Sequence, residues 1–298
     1  ALNIEQQESW RHADYGIIPQ QSRSGPSPSP AVILRDNQKT IDEIKINGTE
    51  VLLPVPAYLW RHGCGPTALG MVVGFYDTQG YSDLVPGSAW MQTDAVNQMI
   101  ASGGYRDYPM PPGSEGNYED FASPEDQFPN MKTDAYITAG RIPHIDNSLA
   151  DFMDTSKSTR DNYYGWSWSN DMGPSFINYI SIINPAYIAS YQSYYYYYSP
   201  RITWSVLTNE IDAGRPLDFL VDTDGNGETD HFVTIIGYRT EPTLQYAAWD
   251  TWSNTVVRWE NFSYIASGVP WGIWGGWSFT LMGLEQPGSY LYLPIVRK

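Results

Sequence analysis

The stretch WRHGCGPTALGMVVGFYD, residues 60–77, contains the only cysteine of the chain. Pro66 suits the first turn of a helix, where its missing N–H leaves no hydrogen bond unmade. Four apolar residues follow the i, i+3, i+4 and i+7 spacing of one helical face: Leu69, Val72, Val73 and Tyr76. The stretch therefore predicts an amphipathic helix with Cys64 at its N-terminus.

A single thiol at this place has two interpretations. It is a small buried hydrophobic residue, or it is a nucleophile whose pKa is lowered by the helix dipole and by the neighbouring Arg61 from an ordinary value of about 8.5. A cysteine hydrolase also needs an imidazole to take the thiol proton and a third group to hold the ring. The rest of the chain has to supply both groups.

The composition is that of a globular protein, with 42% hydrophobic and 17% charged residues. The net charge of −16 excludes nucleic acid and anionic membranes as partners, because both need clustered lysine and arginine. No apolar run approaches the roughly 18 residues that span a bilayer. The polar opening at Ala1, the low lysine content and the many aromatic residues favour a secreted monomer whose leader has been removed.

Patterning divides the chain into three parts. Residues 1–45, which contain SGPSPSP, are predicted to be an N-terminal extension or arm. Residues 46–285 are predicted to be one domain, and residues 286–298 a C-terminal tail or one more strand. Helices are predicted at 64–77, 88–104, 147–156 and 203–216, loops at 105–145, a strand or loop at 191–200, and strands at 31–36, 44–56, 217–222, 231–238, 244–250, 256–262 and 277–281. Helices followed by a sheet indicate an α+β fold.

The chain has four histidines from which a general base can come. His12 lies in the polar arm and His144 in the loop region, where surface roles suit both. His62 is two residues from Cys64, and at that spacing its ring need not face the thiol. His231 opens the strand HFVTIIGY and is the favoured candidate, although a histidine on such a face is often only a core residue.

The spacing between two strands supplies the third group. If residues 239–242 form a four-residue hairpin loop, Tyr238 pairs with Thr243 and His231 lies opposite Asp250. Directly opposed residues have Cβ atoms about 5 Å apart, so a carboxylate there would orient the imidazole. A slip of one residue would turn Asp250 to the other face. The sequence thus predicts a triad of Cys64, His231 and Asp250.

Three motifs carry a family resemblance: GCGPTALGMVVGFYD, DHFVTIIGY and YAAWDTW. They resemble the double-glycine-peptidase-like (C-thirty-nine-like) branch of the papain-like cysteine peptidases, and LADFMDTS is similar to a segment of its extracellular bacterial members. The resemblance implies a papain-like fold, with the cysteine helix packed on an antiparallel sheet that carries His and Asp. It further implies peptide-bond hydrolysis through an acyl-thioester, with Cys64 as nucleophile, His231 as general base and acid, and Asp250 as the orienting group.

One family feature is missing. The family has a glutamine a few residues before the cysteine, whose amide joins the cysteine N–H in the oxyanion hole, but residues 58–62 read YLWRH. Losing one oxyanion donor costs about 10²–10³ in kcat. The indole N–H of Trp60 is the candidate replacement, with Arg61 and His62 behind it. Without a replacement the protein would be weakly active or inactive.

A second candidate site is the stretch DTDGNGETD, residues 222–230. Oxygen-bearing side chains occupy alternate positions as in an EF-hand loop: Asp222, Asp224, Asn226, Glu228 and Asp230. The bidentate glutamate of that loop is absent, and an ordinary hairpin turn has a similar composition. A structural calcium ion that fixes the strand of the general base is one expectation, and a metal-free turn is the other.

The leading hypothesis is a secreted cysteine peptidase that acts on a peptide or protein and needs no cofactor for its chemistry. A transglutaminase-like acyltransferase would use the same three residue types. A catalytically weak or dead papain-like module that binds peptide or carbohydrate through its aromatic surface is the alternative from a different class.

Overall fold

The computed structural model describes residues 49–81, 83–102, 126, 129–283 and 295–297. The predicted arm, the strand predicted at 31–36 and most of the predicted loop region 105–145 lie outside these residues. The helices are α1 Cys64–Thr78, α2 Asp94–Ile100, α3 Ala135–Thr138, α4 Leu149–Phe152, α5 Met172–Ile183 and α6 Trp204–Asp212. The strands are β1 Glu50–Leu52, β2 Ile188–Tyr195, β3 Leu217–Asp222, β4 His231–Arg239, β5 Gln245–Trp249, β6 Arg258–Asn261, β7 Gly272–Met282 and β8 Ile295–Arg297.

The strands form one antiparallel sheet in the order β2-β7-β3-β4-β1-β8, and β5 pairs with both β4 and β6. Strand β4 is central, because β3 and β1 follow one another along one of its edges while β5 occupies the other. The predicted C-terminal tail supplies β8. The α+β prediction is confirmed. No helix among the described residues is long and apolar enough to cross a membrane.

Helix α1 begins at Cys64 as predicted, but it is not amphipathic. Every residue from Cys64 to Tyr76 is buried, because β4 packs on one side of the helix and α2, α4 and α5 on the other. A Cβ atom at Gly65 would lie 2.8 Å from Met153 Cε and 3.2 Å from Ser167 Oγ. Glycine beside the cysteine therefore permits a close approach of two segments at the start of the helix.

Four helices differ from their predictions: α3 lies in the region 105–145 predicted as loops, and α4 covers only Leu149–Phe152 of the predicted 147–156. The helix predicted at 88–104 is only Asp94–Ile100, which starts where the Thr93 hydroxyl accepts a hydrogen bond from the Val96 N–H at 3.3 Å. Helix α5 was not predicted, since Gly173 and Pro174 obscure its first turn. Its core-facing stripe is Met172, Phe176, Tyr179 and Ile180. Packing against β2 stabilises this helix, so tertiary contacts decide where it forms.

The predicted register of the β4–β5 hairpin is wrong. Tyr238 pairs with Tyr246 and not with Thr243, and a register shift lies between residues 235 and 237. The loop is residues 240–244, one residue longer than expected. A longer loop and a bulge change which residues face each other further along the strands.

The backbone groups at the two ends of this loop bond to other parts of the fold. The Thr240 N–H donates to the Thr49 carbonyl at 3.0 Å, and the Leu244 carbonyl accepts from the Phe262 N–H at 2.8 Å. These partners are far from the loop in sequence. The register of the hairpin therefore could not be predicted from the turn residues alone.

Candidate active site

The thiol of Cys64 lies against the start of β4. Cys64 is fully buried, and its Sγ accepts a hydrogen bond from the Phe232 N–H at 3.2 Å. Because Phe232 follows His231 directly, this contact brings the N-terminus of α1 to the residue predicted as general base. The turn before the helix is held by Thr67, whose hydroxyl donates to the Gly63 carbonyl at 2.6 Å.

The imidazole of His231 is neutral and has a defined tautomer. Its Nε2 lies 2.7 Å from the backbone carbonyl oxygen of Asp250, and because a carbonyl only accepts, Nε2 carries the proton. Burial lowers the pKa of His231 to about 4, a shift that the Asp250 carbonyl opposes. The lone pair is therefore on Nδ1, which is buried and has no hydrogen-bond partner among the described residues. This nitrogen is available as a base.

The carboxylate of Asp250 makes no hydrogen bond or ion pair with His231, although its negative charge acts to raise the pKa of the ring. Its Oδ1 accepts from the N–H groups of Trp252 and Ser253 at 2.9 and 3.0 Å, and its Oδ2 accepts from Arg258 Nε at 2.9 Å. The sequence analysis predicted that this carboxylate would lie opposite His231 in the hairpin and orient its imidazole. The structure gives that contact to the Asp250 main chain, and the carboxylate holds the turn that presents it.

Two side chains of the site were missed by the sequence analysis. The Trp252 ring stacks on the His231 ring with centroids 4.1 Å apart, and Arg258 lies over the Trp271 ring at 4.1 Å while it pairs with Asp250. Trp252 lies in the motif YAAWDTW, where its spacing from Asp250 was a usable signal. No sequence motif singles out Arg258, because it reaches the site only through the pairing of β5 with β6.

Trp60, the candidate oxyanion donor, is buried beside the turn that follows Asp250. Its backbone N–H donates to the Thr251 carbonyl at 2.6 Å, and its ring lies 5.9 Å from the ring of Tyr164. The indole Nε1 is buried without a hydrogen-bond partner among the described residues. Arg61 and His62, the next two residues, are also buried. The Trp60 indole is thus an uncommitted donor four residues before Cys64 in the chain.

The segment of residues 153–167 packs against the turn before Cys64. A Cβ atom at Gly63 would lie 2.8 Å from Thr155 Cγ2 and 3.1 Å from the Gly165 carbonyl oxygen. This contact holds the segment against the residue that precedes Cys64.

Three of the five predicted calcium ligands come together. One carboxylate oxygen from each of Asp222, Asp224 and Asp230 lies within 4.8 Å of the others, whereas Glu228 is not part of this group. The Asn226 amide donates to Asp224 at 3.1 Å. Burial raises the pKa of Asp230 to about 7, and the charges of Asp222 and Asp224 add to the rise. Such a concentration of carboxylates fits the oxygen chemistry of a hard cation.

Papain-like cysteine peptidases are defined by this combination of a cysteine at a helix N-terminus and a histidine at the start of a sheet strand. The model of the Peptidase_C39 like family matches residues 52–268, which is well over half of the chain and includes Cys64, His231 and Asp250. The chain therefore belongs to this family of cysteine peptidases. A search of curated proteins finds no match.

Proposed function

We propose that this protein hydrolyses peptide bonds with Cys64 as nucleophile and His231 as general base. The single observation that carries the proposal is the contact of the Cys64 sulfur with the backbone N–H next to a neutral imidazole whose Nδ1 is uncommitted. The hydrogen bond from Phe232 N–H supports negative charge on the sulfur. Thiol–imidazole contacts are often long in unliganded enzymes and tighten when substrate binds.

The proposed reaction has two halves. His231 Nδ1 takes the thiol proton, and the sulfur attacks the carbonyl carbon of the scissile bond while the N–H groups of Cys64 and the Trp60 indole stabilise the oxyanion. The C–N bond then breaks, His231 protonates the leaving amine, and a thioester remains on Cys64. Water, deprotonated by the same imidazole, attacks the thioester, releases the carboxylic acid and restores the thiol.

The first test is the rate of alkylation of Cys64 by iodoacetamide as a function of pH. Because the chain has one cysteine, the signal belongs to one site. Burial of the thiol lowers the rate at every pH, but the midpoint of the profile still reports the thiolate. We expect a midpoint clearly below about 8.5, the ordinary thiol value that the urea-unfolded chain should show.

His231→Ala should return this midpoint to the unfolded-chain value, since it removes the proton acceptor. His144→Ala is the matched control, because that ring lies 3.6 Å from the Asp151 carboxylate in the helical part of the fold. A folded wild-type protein whose midpoint equals that of the unfolded chain would refute the nucleophile assignment.

Binding without catalysis is the second candidate function. It is favoured by an aromatic cluster at the end of edge strand β2, where the rings of Tyr195 and Tyr198 stack 4.3 Å apart and Tyr197 is 43% exposed. Flat exposed rings of this kind bind sugars or peptide side chains. An ordinary alkylation midpoint together with measurable binding of oligosaccharides or peptides would favour this candidate.

Acyl transfer to an amine would follow the same steps with the amine in place of water. Mass spectrometry of products formed in the presence of a primary amine separates the two, since hydrolysis gives a free acid and transfer gives a new amide. We expect the free acid to dominate.

Calcium binding and an extracellular location are further parts of the proposal. The carboxylate group of Asp222, Asp224 and Asp230 supports the first. The charge of −16 and the aromatic-rich composition support the second, and fractionation of cells of the source organism tests it.

A further inference from the structure

Thr251 lies in the turn after β5 and has a backbone conformation that β-branched residues rarely adopt. Its φ is 62°, in the left-handed region, where a branched side chain crowds the backbone. The residue is fully buried. Such a conformation costs free energy and persists only where the surrounding structure holds it. The contacts of this turn therefore have to account for it.

Two successive carbonyl groups of the turn hold two different parts of the site. The Asp250 carbonyl accepts the proton of His231 Nε2 at 2.7 Å. The next carbonyl in the chain, that of Thr251, accepts the Trp60 N–H at 2.6 Å. Both bonds are short, and both donors are buried. One turn thus binds the general base and the residue four positions before the nucleophile Cys64.

The segment between Trp60 and Cys64 is held at its other end by helix α1. The Arg61 N–H donates to the Thr67 hydroxyl oxygen at 2.9 Å, and that hydroxyl donates to the Gly63 carbonyl at 2.6 Å. Because the segment is short and fixed by α1, the bond to the Trp60 N–H ties the turn to the start of the nucleophile helix.

The torsion angles of Thr251 set the angle between the two carbonyls. Each carbonyl belongs to a rigid, planar peptide unit, and only φ and ψ of Thr251 lie between these two units. A change of φ to the ordinary negative range would turn one carbonyl away from its partner. The conformation of one residue thus places His231 relative to the segment that leads to Cys64.

The side chain of Asp250 keeps the turn in this conformation. Its Oδ1 accepts from the N–H groups of Trp252 and Ser253 at 2.9 and 3.0 Å. These bonds close the turn around Thr251 and offset the cost of the positive φ. The Thr251 hydroxyl oxygen lies 3.5 Å from His231 Nε2, too far to compete with the Asp250 carbonyl. The backbone of Thr251 therefore matters more to the imidazole than its side chain does.

We propose that Thr251 is a positioning residue whose left-handed backbone conformation fixes His231 relative to the segment before Cys64. This inference rests on the proposed function, which gives the cysteine and the histidine their roles. Misplacement of about 1 Å between reacting groups costs up to about 100-fold in rate. Loss of the conformation should therefore change thiol chemistry beyond its effect on folding.

The experiment changes the backbone preference at position 251 and measures the pH profile of Cys64 alkylation and the melting temperature. Thr251→Gly permits a positive φ without strain, whereas Thr251→Pro fixes φ at about −65°. We expect the first variant to keep the wild-type midpoint and the second to move it toward about 8.5. Asp83→Pro is the matched control, because Asp83 also has a positive φ, of 86°, but is exposed in the turn after α1. Its midpoint should stay at the wild-type value.

A second pair of variants decides the question if Thr251→Pro does not fold. Asp250→Ala removes the acceptor that holds the turn but leaves both carbonyls in the chain. Thr251 should then relax to a negative φ, and the midpoint should rise toward about 8.5. Adding Thr251→Gly to Asp250→Ala should return the midpoint most of the way to the wild-type value, because glycine adopts the left-handed conformation without strain.

A purely structural role would lower the melting temperature of Thr251→Pro but leave its midpoint unchanged, and that result overturns the inference. A midpoint that moves as far in Thr251→Gly as in Thr251→Pro also overturns it, as does a double variant that behaves like Asp250→Ala alone. A wild-type midpoint at the unfolded-chain value defeats the proposed function itself. A displaced wild-type midpoint with unresponsive variants defeats only the positioning role.

Discussion

At the scale of single residues, Asp250 shows how a predicted role can pass from a side chain to the main chain. Its carbonyl fixes the tautomer of His231, and its carboxylate is engaged by Arg258 and two backbone N–H groups. The carboxylate thus stabilises the turn that places the Asp250 carbonyl beside His231. A substitution of the side chain can therefore test the turn without removing the carbonyl that binds the imidazole.

Asp250→Asn should damage stability more than thiol chemistry. The amide keeps an acceptor for the turn but weakens the bond to Arg258, at a cost of about 2 kcal/mol, while the carbonyl that holds His231 remains. Urea denaturation measures the first effect and the alkylation midpoint the second. An alkylation profile as perturbed as that of His231→Ala would show that the carboxylate itself is essential to the base.

Trp60→Phe tests the proposed oxyanion donor. The phenyl ring preserves packing against Tyr164 but has no N–H, so kcat on a peptide substrate should fall about 10²–10³-fold with little change in KM. The alkylation profile should stay as in wild type, because no oxyanion forms in that reaction. Unchanged kcat would assign the role to another donor.

At the scale of elements, the loop between β3 and β4 joins the candidate cation site to the strand that begins at His231. Asp230 is the last residue of the loop and His231 the first of β4. The negative charges of Asp222 and Asp224 act on Asp230 in this loop, so a divalent cation would relieve the repulsion at the point where β4 begins.

Calcium should therefore raise the melting temperature of the wild-type protein. At a free calcium concentration of 100 times the Kd, the free energy of unfolding increases by about 2.7 kcal/mol. Excess EGTA should reverse this increase. Asp224→Asn should abolish most of the gain, whereas Glu228→Gln, outside the carboxylate group, should retain it. Equal melting temperatures in calcium and EGTA would leave the metal-free turn as the correct interpretation.

At the scale of the whole molecule, buried acids and a net charge of −16 both lower the stability of the fold as the pH rises. Burial is the first cause of a raised pKa at several carboxyls: Asp77, Asp126, Asp134, Asp151, Asp218 and Glu260. A raised pKa means that the folded state holds a proton which the unfolded chain releases above about pH 4. These groups therefore stabilise the fold least at high pH.

His231 acts in the opposite direction below about pH 6.5, because its lowered pKa means that the unfolded chain binds the proton more tightly there. Above about pH 6.5 this opposing contribution ends, while Asp218 and Asp230 have pKa values raised far enough to titrate there. The free energy of unfolding should therefore fall as the pH rises from about 6.5 to 8. One such group contributes a slope of up to about 1.4 kcal/mol per pH unit, so Asp218→Asn should flatten the profile and be more stable than wild type at neutral pH. Chemical denaturation at a series of pH values, in EGTA, measures both. A wild-type protein that gains stability toward pH 8 would contradict the expectation.

The sequence by itself determined the helix that begins at Cys64, the strands β3 and β4 within one residue of their ends, the order of Cys64, His231 and Asp250, and the family resemblance. These features depend on local periodicity, on turn residues and on short motifs, which a single chain displays directly. The tertiary structure alone decided the hairpin register, the main-chain contact to His231 and the complete burial of Asp218. Each depends on backbone and side-chain groups far apart in sequence, whose pairing is set by which neighbours are buried together and not by local pattern.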